Sequence, residues 1–254
     1  MIVGSGGMVT RIDLSADVGE GCDDGPLLPL VSSVNVSCGA HAGDEATIRA
    51  TLRSARAHGL AIGAHPSFAD REGFGRRVTS RDPAVIADIV AAQVAHLARL
   101  ADDEGVTLAH VKPHGALYNL AASDRQVARA VAQGTASVLP GTRLVVLAAS
   151  VALDAARAAG LQAVAEAFVD RAYLDDGTLV PRDRAGAVIE DRATAAQRAL
   201  ALVRGAPLHS IEGRLLRITA DTLCLHGDTP GATARAGAVR AALGAAGVVV
   251  AAVR

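Results

Sequence analysis

Leu60-Ala-Ile-Gly-Ala-His65-Pro-Ser-Phe68, then Pro83–Glu104 (PAVIADIVAAQVAHLARLADDE), then Leu108-Ala-His110-Val-Lys112-Pro-His114 form one strand–helix–strand unit whose reading decides the fold. In the middle segment Ile86, Ile89, Val90, Val94, Leu97 and Leu100 recur at helical spacing, the mark of an amphipathic helix. Asp82 is placed to cap it, Pro83 suits its first turn, and Glu104-Gly105 closes it,. The flanking runs Leu60–Ala64 and Leu108–Lys112 are short, apolar and strand-like. Two strands joined by a helix of this length run parallel.

The same alternation extends both ways. Further strands are expected at Thr10–Ala16, Val34–Cys38, Arg143–Ala148, Gln162–Phe168, Thr222–Leu225 and Val248–Val253, and His58-Gly59 reads as another helix end,. No linker, low-complexity tract or internal repeat divides the chain. Its 254 residues match the usual size of one β/α barrel. The expectation is a short flexible lead-in over residues 1–9, without signal-peptide features, followed by a single barrel-like α/β domain over residues 10–254.

Composition excludes several classes. The 25 basic and 26 acidic side chains nearly cancel, and there are five aromatics, so neither the basic footprint nor the stacking platform of a nucleic-acid binder is present. Charges or glycines interrupt every apolar run before the roughly 20 residues of a membrane span. Cys22, Cys38 and Cys224 are odd in number and lack metal-type spacing,, which suits a reducing cytoplasm. The scarce residue types are concentrated. Lys112 is the one lysine, Asn35 and Asn119 the two asparagines, and Phe68, Phe74, Tyr118, Phe168 and Tyr173 all lie in or beside segments rich in His, Asp, Glu and Arg.

Polar residues fall at the carboxyl ends of the expected strands: Asp17 and Glu20, then His41 and Asp44, His65 and Ser67, Lys112 and His114, Glu166 with Asp170-Arg171, and His226 with Asp228. In a parallel barrel those ends converge on the face that carries catalysis. Asp17-Val-Gly-Glu20 offers two carboxylates for base chemistry, amine recognition, metal ligation or a helix cap. In His110-Val-Lys112-Pro-His114 the proline disfavours a helix, so this is not the helical zinc motif; on a strand the three polar side chains share a face. Lys112 suits an anion or a developing oxyanion. Gly73-Phe-Gly-Arg76-Arg77 reads as a lid, a phosphate clamp or a plain solvated loop. Pro230 opens a helix behind His226-Gly-Asp228, whose N-terminus favours an anion. His58, His96 and His209 lie outside the pattern. Ser67 has no nucleophile elbow, Cys38 reads as a small buried hydrophobe, and neither a P-loop nor a dinucleotide fingerprint occurs.

Several long motifs carry a family resemblance: Ile12-Asp-Leu-Ser-Ala-Asp17-Val-Gly-Glu20-Gly, Ser33-Val-Asn35-Val-Ser-Cys-Gly-Ala-His41-Ala-Gly-Asp44, Gly63-Ala-His65-Pro-Ser-Phe, Gly73-Phe-Gly-Arg76-Arg77, His110-Val-Lys112-Pro-His114-Gly-Ala-Leu-Tyr118-Asn119, Glu166-Ala-Phe-Val-Asp170-Arg171-Ala-Tyr173, Leu179-Val-Pro-Arg182 and Thr222-Leu-Cys-Leu-His226-Gly-Asp228. Together, over nearly the whole chain from about Thr10, they resemble the LamB/YcsF family, which is that of the 5-oxoprolinase A subunits. The resemblance implies a seven-stranded, distorted TIM-like β/α barrel of the glycoside hydrolase/deacetylase type. It also implies ATP-dependent opening of 5-oxo-L-proline to L-glutamate together with subunits B and C, with Mg as the nucleotide counter-ion and no tightly bound organic cofactor.

On this reading Asp17, His65, Lys112 and His114 are the candidate catalytic residues, with Asp17 or His65 activating water. Glu20, Asn35, His41, Arg76, Arg77, Tyr118, Asn119, Glu166, Asp170, Arg171, His226 and Asp228 are candidates for binding substrate or nucleotide. Two departures from the family pattern are Ser15 for Asn and Ala40 for Phe. Two competitors stay open: a metal-dependent deacetylase or amidohydrolase using Asp17, His65, His110 and His114, and a non-catalytic substrate-binding subunit.

Overall fold

The computed structural model describes residues 10–253; the expected lead-in over residues 1–9 lies outside the described residues. In chain order come β1 (Arg11–Val18), a 3-10 turn (Leu28–Leu30), β2 (Ser33–Ser37), α1 (Glu45–Ala57), β3 (Ala61–His65), α2 (Pro83–Asp103), β4 (His110–Val111), α3 (Gly115–Ser123) and α4 (Arg125–Val138). There follow β5 (Arg143–Leu147), α5 (Val151–Ala158), β6 (Gln162–Phe168), α6 (Arg192–Val203), β7 (Leu208–His209), β8 (Leu215–Leu216), β9 (Thr222–His226), α7 (Ala232–Ala245) and β10 (Val249–Val250).

Seven parallel strands close into a ring in the order β1-β2-β3-β4-β5-β6-β9, and β9 returns to β1. The expected seven-stranded barrel is therefore present. The run Val248–Val253, read as a strand from its apolar composition, yields only Val249 and Val250, paired with Arg11 and Ile12 at the start of β1. It joins no other strand of the ring. The short antiparallel pair β7–β8 carries too little apolar pattern to be seen in the sequence.

Local chemistry accounts for the main elements. The Asp82 carboxylate accepts from Ala84 N, and the Asp44 and Asp124 carboxylates cap α1 and α4 in the same way,. Along α2 the residues Ile86, Val90, Val94, Leu97 and Leu100 are all buried, the stripe that its periodicity predicts. Among the described residues α2 is the one helix long and apolar enough to cross a membrane by length and composition. Its apolar stripe packs in the core of the barrel.

Register sets the site. Asp17 on β1 is level with Asn35 on β2, Asn35 with Gly63 on β3, and Gly63 with His110 on β4. Asp17 is also level with His226 on β9. The missing side chain of Gly63 is required here: a Cβ would stand 2.2 Å from the His110 ring, so only glycine lets that imidazole cross β3 to reach Asn35.

Candidate active site

The carboxyl ends of the strands open into a cavity of about 490 Å³ lined by Asp17, Glu20, His65, Arg76, Lys112, His114, Tyr118, Asn119, Phe168, Arg171, Arg182, His226 and Asp228, among others. That volume suits a small-molecule ligand. At its floor the Asp17 carboxylate is held on both oxygens. Oδ1 accepts from Asn35 Nδ2 at 2.8 Å and from Lys112 Nζ at 2.9 Å, while Oδ2 faces His65 Nε2 at 3.4 Å and His226 Nε2 at 4.0 Å. Asn35 Oδ1 accepts from His110 Nε2 at 2.7 Å. A carboxylate cannot donate, so the Asn35 amide has one consistent orientation, and His110 supports Asp17 through it.

Lys112 is fully enclosed. Its ammonium lies 3.1 Å from Glu166 Oε1 and 3.1 Å from Cys224 Sγ, over the Phe168 ring. Both Glu166 oxygens and Tyr118 Oη are buried without a hydrogen-bond partner among the described residues; the Lys112–Glu166 pair is close enough for charge attraction but off hydrogen-bonding geometry.

A second layer of imidazoles covers Asp17. His41 and His114 stack with centroids 3.9 Å apart. His41 Nδ1 meets Ser67 Oγ at 2.8 Å, and its Nε2 meets Glu20 Oε1 at 2.9 Å. His65 Nδ1 donates to Lys112 O at 2.7 Å, and His114 Nε2 donates to Phe74 O at 2.8 Å. Phe74 takes φ 55° to present that carbonyl, a left-handed backbone uncommon for a bulky residue. On the far wall Asp170 accepts from the backbone N of His226 at 2.8 Å and from its Nδ1 at 3.0 Å, while Phe168 stacks on the ring.

Burial and charge push the two central carboxyls apart. Burial alone would raise Asp17, but His65 and Lys112 outweigh it and hold the group well below the usual carboxylate range. Burial, then repulsion from Asp17 and Asp228, raises Glu20 well above it. Asp17 is therefore the stronger acid of the pair and Glu20 the weaker, the kind of split that separates base from acid in hydrolytic sites,. Burial, then His65, keeps His114 well below its ordinary value and His41 down at about 3. Burial raises Glu166 against the pull of Lys112.

The expected residues divide into those that line the cavity and those that brace the lining. Asn35, His41, Glu166 and Asp170 sit behind the wall, each bonded to or paired with a lining residue. Arg76 and Arg77, adjacent in sequence, part company: Arg76 reaches Asp228 over the cavity mouth, whereas Arg77 binds Asp70 at 2.6 Å and does not line it. That corrects the reading of the two as a clamp. His110 likewise stands beneath Asn35, apart from the two groups of potential metal donors, Asp17–His65–His114 and Glu20–His41–His114, in each of which the ligand atoms lie within 4.8 Å of one another. Ser15 lines a separate small cavity lower in the barrel with Asp13 and His110, and Ala40 lines neither cavity.

Composition and strand-end logic missed Arg182, Cys224 and Gly63. Arg182 joins Arg76 and Arg171 around the mouth, 3.8 Å from Asp228; it stands in the Leu179–Arg182 motif, the one signal that points to it. Cys224 falls within the Thr222–Asp228 motif, but nothing local marks its contact with Lys112, which joins strands on opposite sides of the ring.

The comparisons with known proteins agree with this architecture. In an alignment 247 residues long the chain is 48% identical to the 5-oxoprolinase A subunit of Heliobacterium modesticaldum, with 94% of this chain and 97% of that protein covered. The crystal structure of the lactam utilization protein from Thermus thermophilus superposes with a TM-score of 0.89 at 44% identity, covering 96% of this chain and 100% of that one. The family 4 carbohydrate esterase of Streptomyces lividans, 10% identical with a TM-score of 0.50 over 96% of this chain and 93% of that one, shares the fold alone. The LamB/YcsF family pattern spans residues 12–254, and this chain belongs to the LamB/YcsF family.

Proposed function

We propose that this chain is the A component of a 5-oxoprolinase, a hydrolase that opens the cyclic amide 5-oxo-L-proline to L-glutamate, using ATP and acting with partner subunits B and C. One observation carries the reading: 48% identity across 97% of a relative named as the A component of that enzyme. The cavity's chemistry suits the task. Hydrolysis adds water to the lactam carbonyl carbon and breaks the C–N bond, with negative charge developing on the carbonyl oxygen and a proton going to the leaving nitrogen.

Asp17, kept anionic with His65 at its free oxygen, forms the end that orients and deprotonates water. Glu20 at the cavity wall, whose proton burial and the neighbouring carboxylates hold more tightly than usual, is the group placed to deliver a proton to nitrogen. Lys112, behind Asp17 and Glu166, balances their charge and contributes positive potential at the floor. Arg76, Arg171 and Arg182 around the mouth suit the oxygens of a carboxylate or a phosphate, which guanidinium binds in bidentate fashion. ATP, with Mg as counter-ion, would supply a phosphoryl group to the amide oxygen, releasing ADP and making the carbonyl carbon a better electrophile. Water addition with C–N cleavage would then leave an acyl phosphate, which a second water hydrolyses to glutamate and inorganic phosphate. Three free cysteines support a reducing compartment, the cytoplasm.

The test is glutamate release from 5-oxoproline and ATP with subunits B and C, with and without this chain. Release only in its presence supports the reading, and Asp17→Asn then lowers turnover by about 10² to 10³. No release, with the partners shown competent alongside a related chain of the same family, overturns it in favour of a metal-dependent amidohydrolase.

A further inference from the structure

Two backbone carbonyls determine where the hydrogens sit on the central imidazoles. Lys112 O and Phe74 O can only accept, so His65 Nδ1, 2.7 Å from the first, and His114 Nε2, 2.8 Å from the second, must both be N–H donors,. A neutral imidazole carries one ring hydrogen, so its other nitrogen presents a lone pair. Those two lone-pair nitrogens, His65 Nε2 and His114 Nδ1, face each other at 3.0 Å. Neither can donate to the other. Asp17 Oδ2 stands 3.4 Å from His65 Nε2, and Glu20 Oε1 stands 3.5 Å from His114 Nδ1 and 3.9 Å from His65 Nε2. Two imidazole lone pairs and the Asp17 carboxylate thus converge on one notch, with Glu20 at its edge, and a positive centre is required there.

A single proton on His65 would satisfy the nitrogen pair alone, with the Asp17 carboxylate at 3.4 Å left to balance a charged ring that is 1% exposed. A metal cation satisfies all the donors together. Two nitrogens, each about 2.0–2.1 Å from a metal, are separated by about 2.9 Å at a right angle and about 3.3 Å at the tetrahedral angle, and the pair here is spaced at 3.0 Å. The ligating atoms of Asp17, His65 and His114 lie within 4.8 Å of one another and beside the open cavity. The remaining ring nitrogens are already held by carbonyls, the orienting contact that metal-binding histidines ordinarily have. Asp17 Oδ1 is fixed by Asn35 and Lys112, which leaves Oδ2 to ligate.

We propose that Asp17 Oδ2, His65 Nε2 and His114 Nδ1 bind one divalent transition-metal cation at the floor of the cavity. Two imidazoles and one carboxylate with an open side suit Zn²⁺, Co²⁺, Ni²⁺ or Mn²⁺ rather than Ca²⁺ or Mg²⁺, which prefer oxygen donors throughout. Glu20 stands at the edge of the notch, and His41 stays outside it because its Nε2 is engaged with Glu20.

A bound cation would occupy the Asp17 oxygen that otherwise takes the proton from water, so Asp17 would be a ligand in the metal-loaded protein and a base only in the metal-free one. The site itself is tested by binding, with a readout separate from the reaction assigned above. Chelator-treated protein is titrated with Co²⁺ and followed by visible absorption; melting temperature is measured with and without Zn²⁺. The expected result is one Co²⁺ per chain, a higher melting temperature with Zn²⁺, and affinity lower by more than about 100-fold in His65→Ala and His114→Ala, since even an outer partner costs 10- to 100-fold. Absence of saturable Co²⁺ binding to the parent protein overturns the proposal, as does binding that both variants retain. Should the variants fail to fold, the imidazole ¹⁵N resonances of the parent decide: displacement of His65 Nε2 and His114 Nδ1 by Zn²⁺ supports the site, and displacement elsewhere refutes it.

Discussion

Replacing Lys112 with methionine removes the one lysine ammonium in the chain while roughly keeping its volume. In the parent protein that ammonium, 3% exposed, stands 2.9 Å from Asp17 Oδ1 and 3.1 Å from Glu166 Oε1. At an effective dielectric of 20 each contact is about 5 kcal/mol of gross attraction, offset by several kcal/mol for desolvating the charge. Loss of one partner from such a buried set costs about 3–5 kcal/mol, because the carboxylates are left uncompensated. In a chain of this size the melting temperature would fall by roughly 10 °C.

The pH dependence carries a sign of its own. Without the ammonium, the folded-state proton affinities of Asp17 and Glu166 both rise, so the folded variant holds protons that the unfolded chain releases. Its stability then increases as pH falls from 7 towards the ordinary carboxylate range, and its deficit against the parent shrinks. Urea denaturation of both proteins at pH 7 and pH 5, with Lys112→Met/Glu166→Gln as a partial rescue at pH 7, measures this. A variant within 1 kcal/mol of the parent at pH 7, or a deficit that grows on acidification, would refute the assignment of Lys112 as the compensating charge.

Two further predictions concern the brace beneath Asp17. Gly63→Ala puts a methyl group 2.2 Å from the His110 ring, so chemical denaturation should show a loss of about 2–5 kcal/mol from overpacking and a loosened Asn35 contact. His110→Ala in the same chain should relieve the overlap, and an unchanged midpoint in the single variant would mean the ring does not press on Gly63. Burial, then Lys112, holds His110 down at about 3 against an ordinary 6.5. The unfolded chain therefore takes up that proton first, and stability drains away as pH falls from 6.5 towards 3, by about 1.4 kcal/mol per pH unit. His110→Gln, able to keep a donor on Asn35, should flatten the slope of unfolding free energy between pH 6 and 4.5 by that amount; an identical slope would exclude His110 as its source.

The alternation of strands and helices, and the grouping of polar residues at strand ends, are legible from the residues without coordinates. Both follow from interactions within a few residues: the apolar period of Pro83–Glu104, the caps at Asp82 and Gly105, and side chains that alternate along a strand. Asp17, His65, Lys112 and His114 could therefore be gathered on one face without coordinates. Register decided the rest. Asn35, Gly63 and His110 come level with Asp17 only through pairing across four strands, and no local pattern announces that a missing Cβ on β3 lets His110 reach Asn35. Arg76 and Arg77 share one motif, yet a turn of the loop sends the first to Asp228 and the second to Asp70. Val248–Val253 has strand composition, but β9 already closes the ring along β1, so β10 finds partners only at Arg11 and Ile12. The opposed lone pairs of His65 and His114 exist because the carbonyls of Lys112 and Phe74, distant from each other in the chain, arrive at the two rings from different segments. Residue chemistry is carried by each position alone, whereas its protonation and its partners are set by distances that only the closed barrel defines.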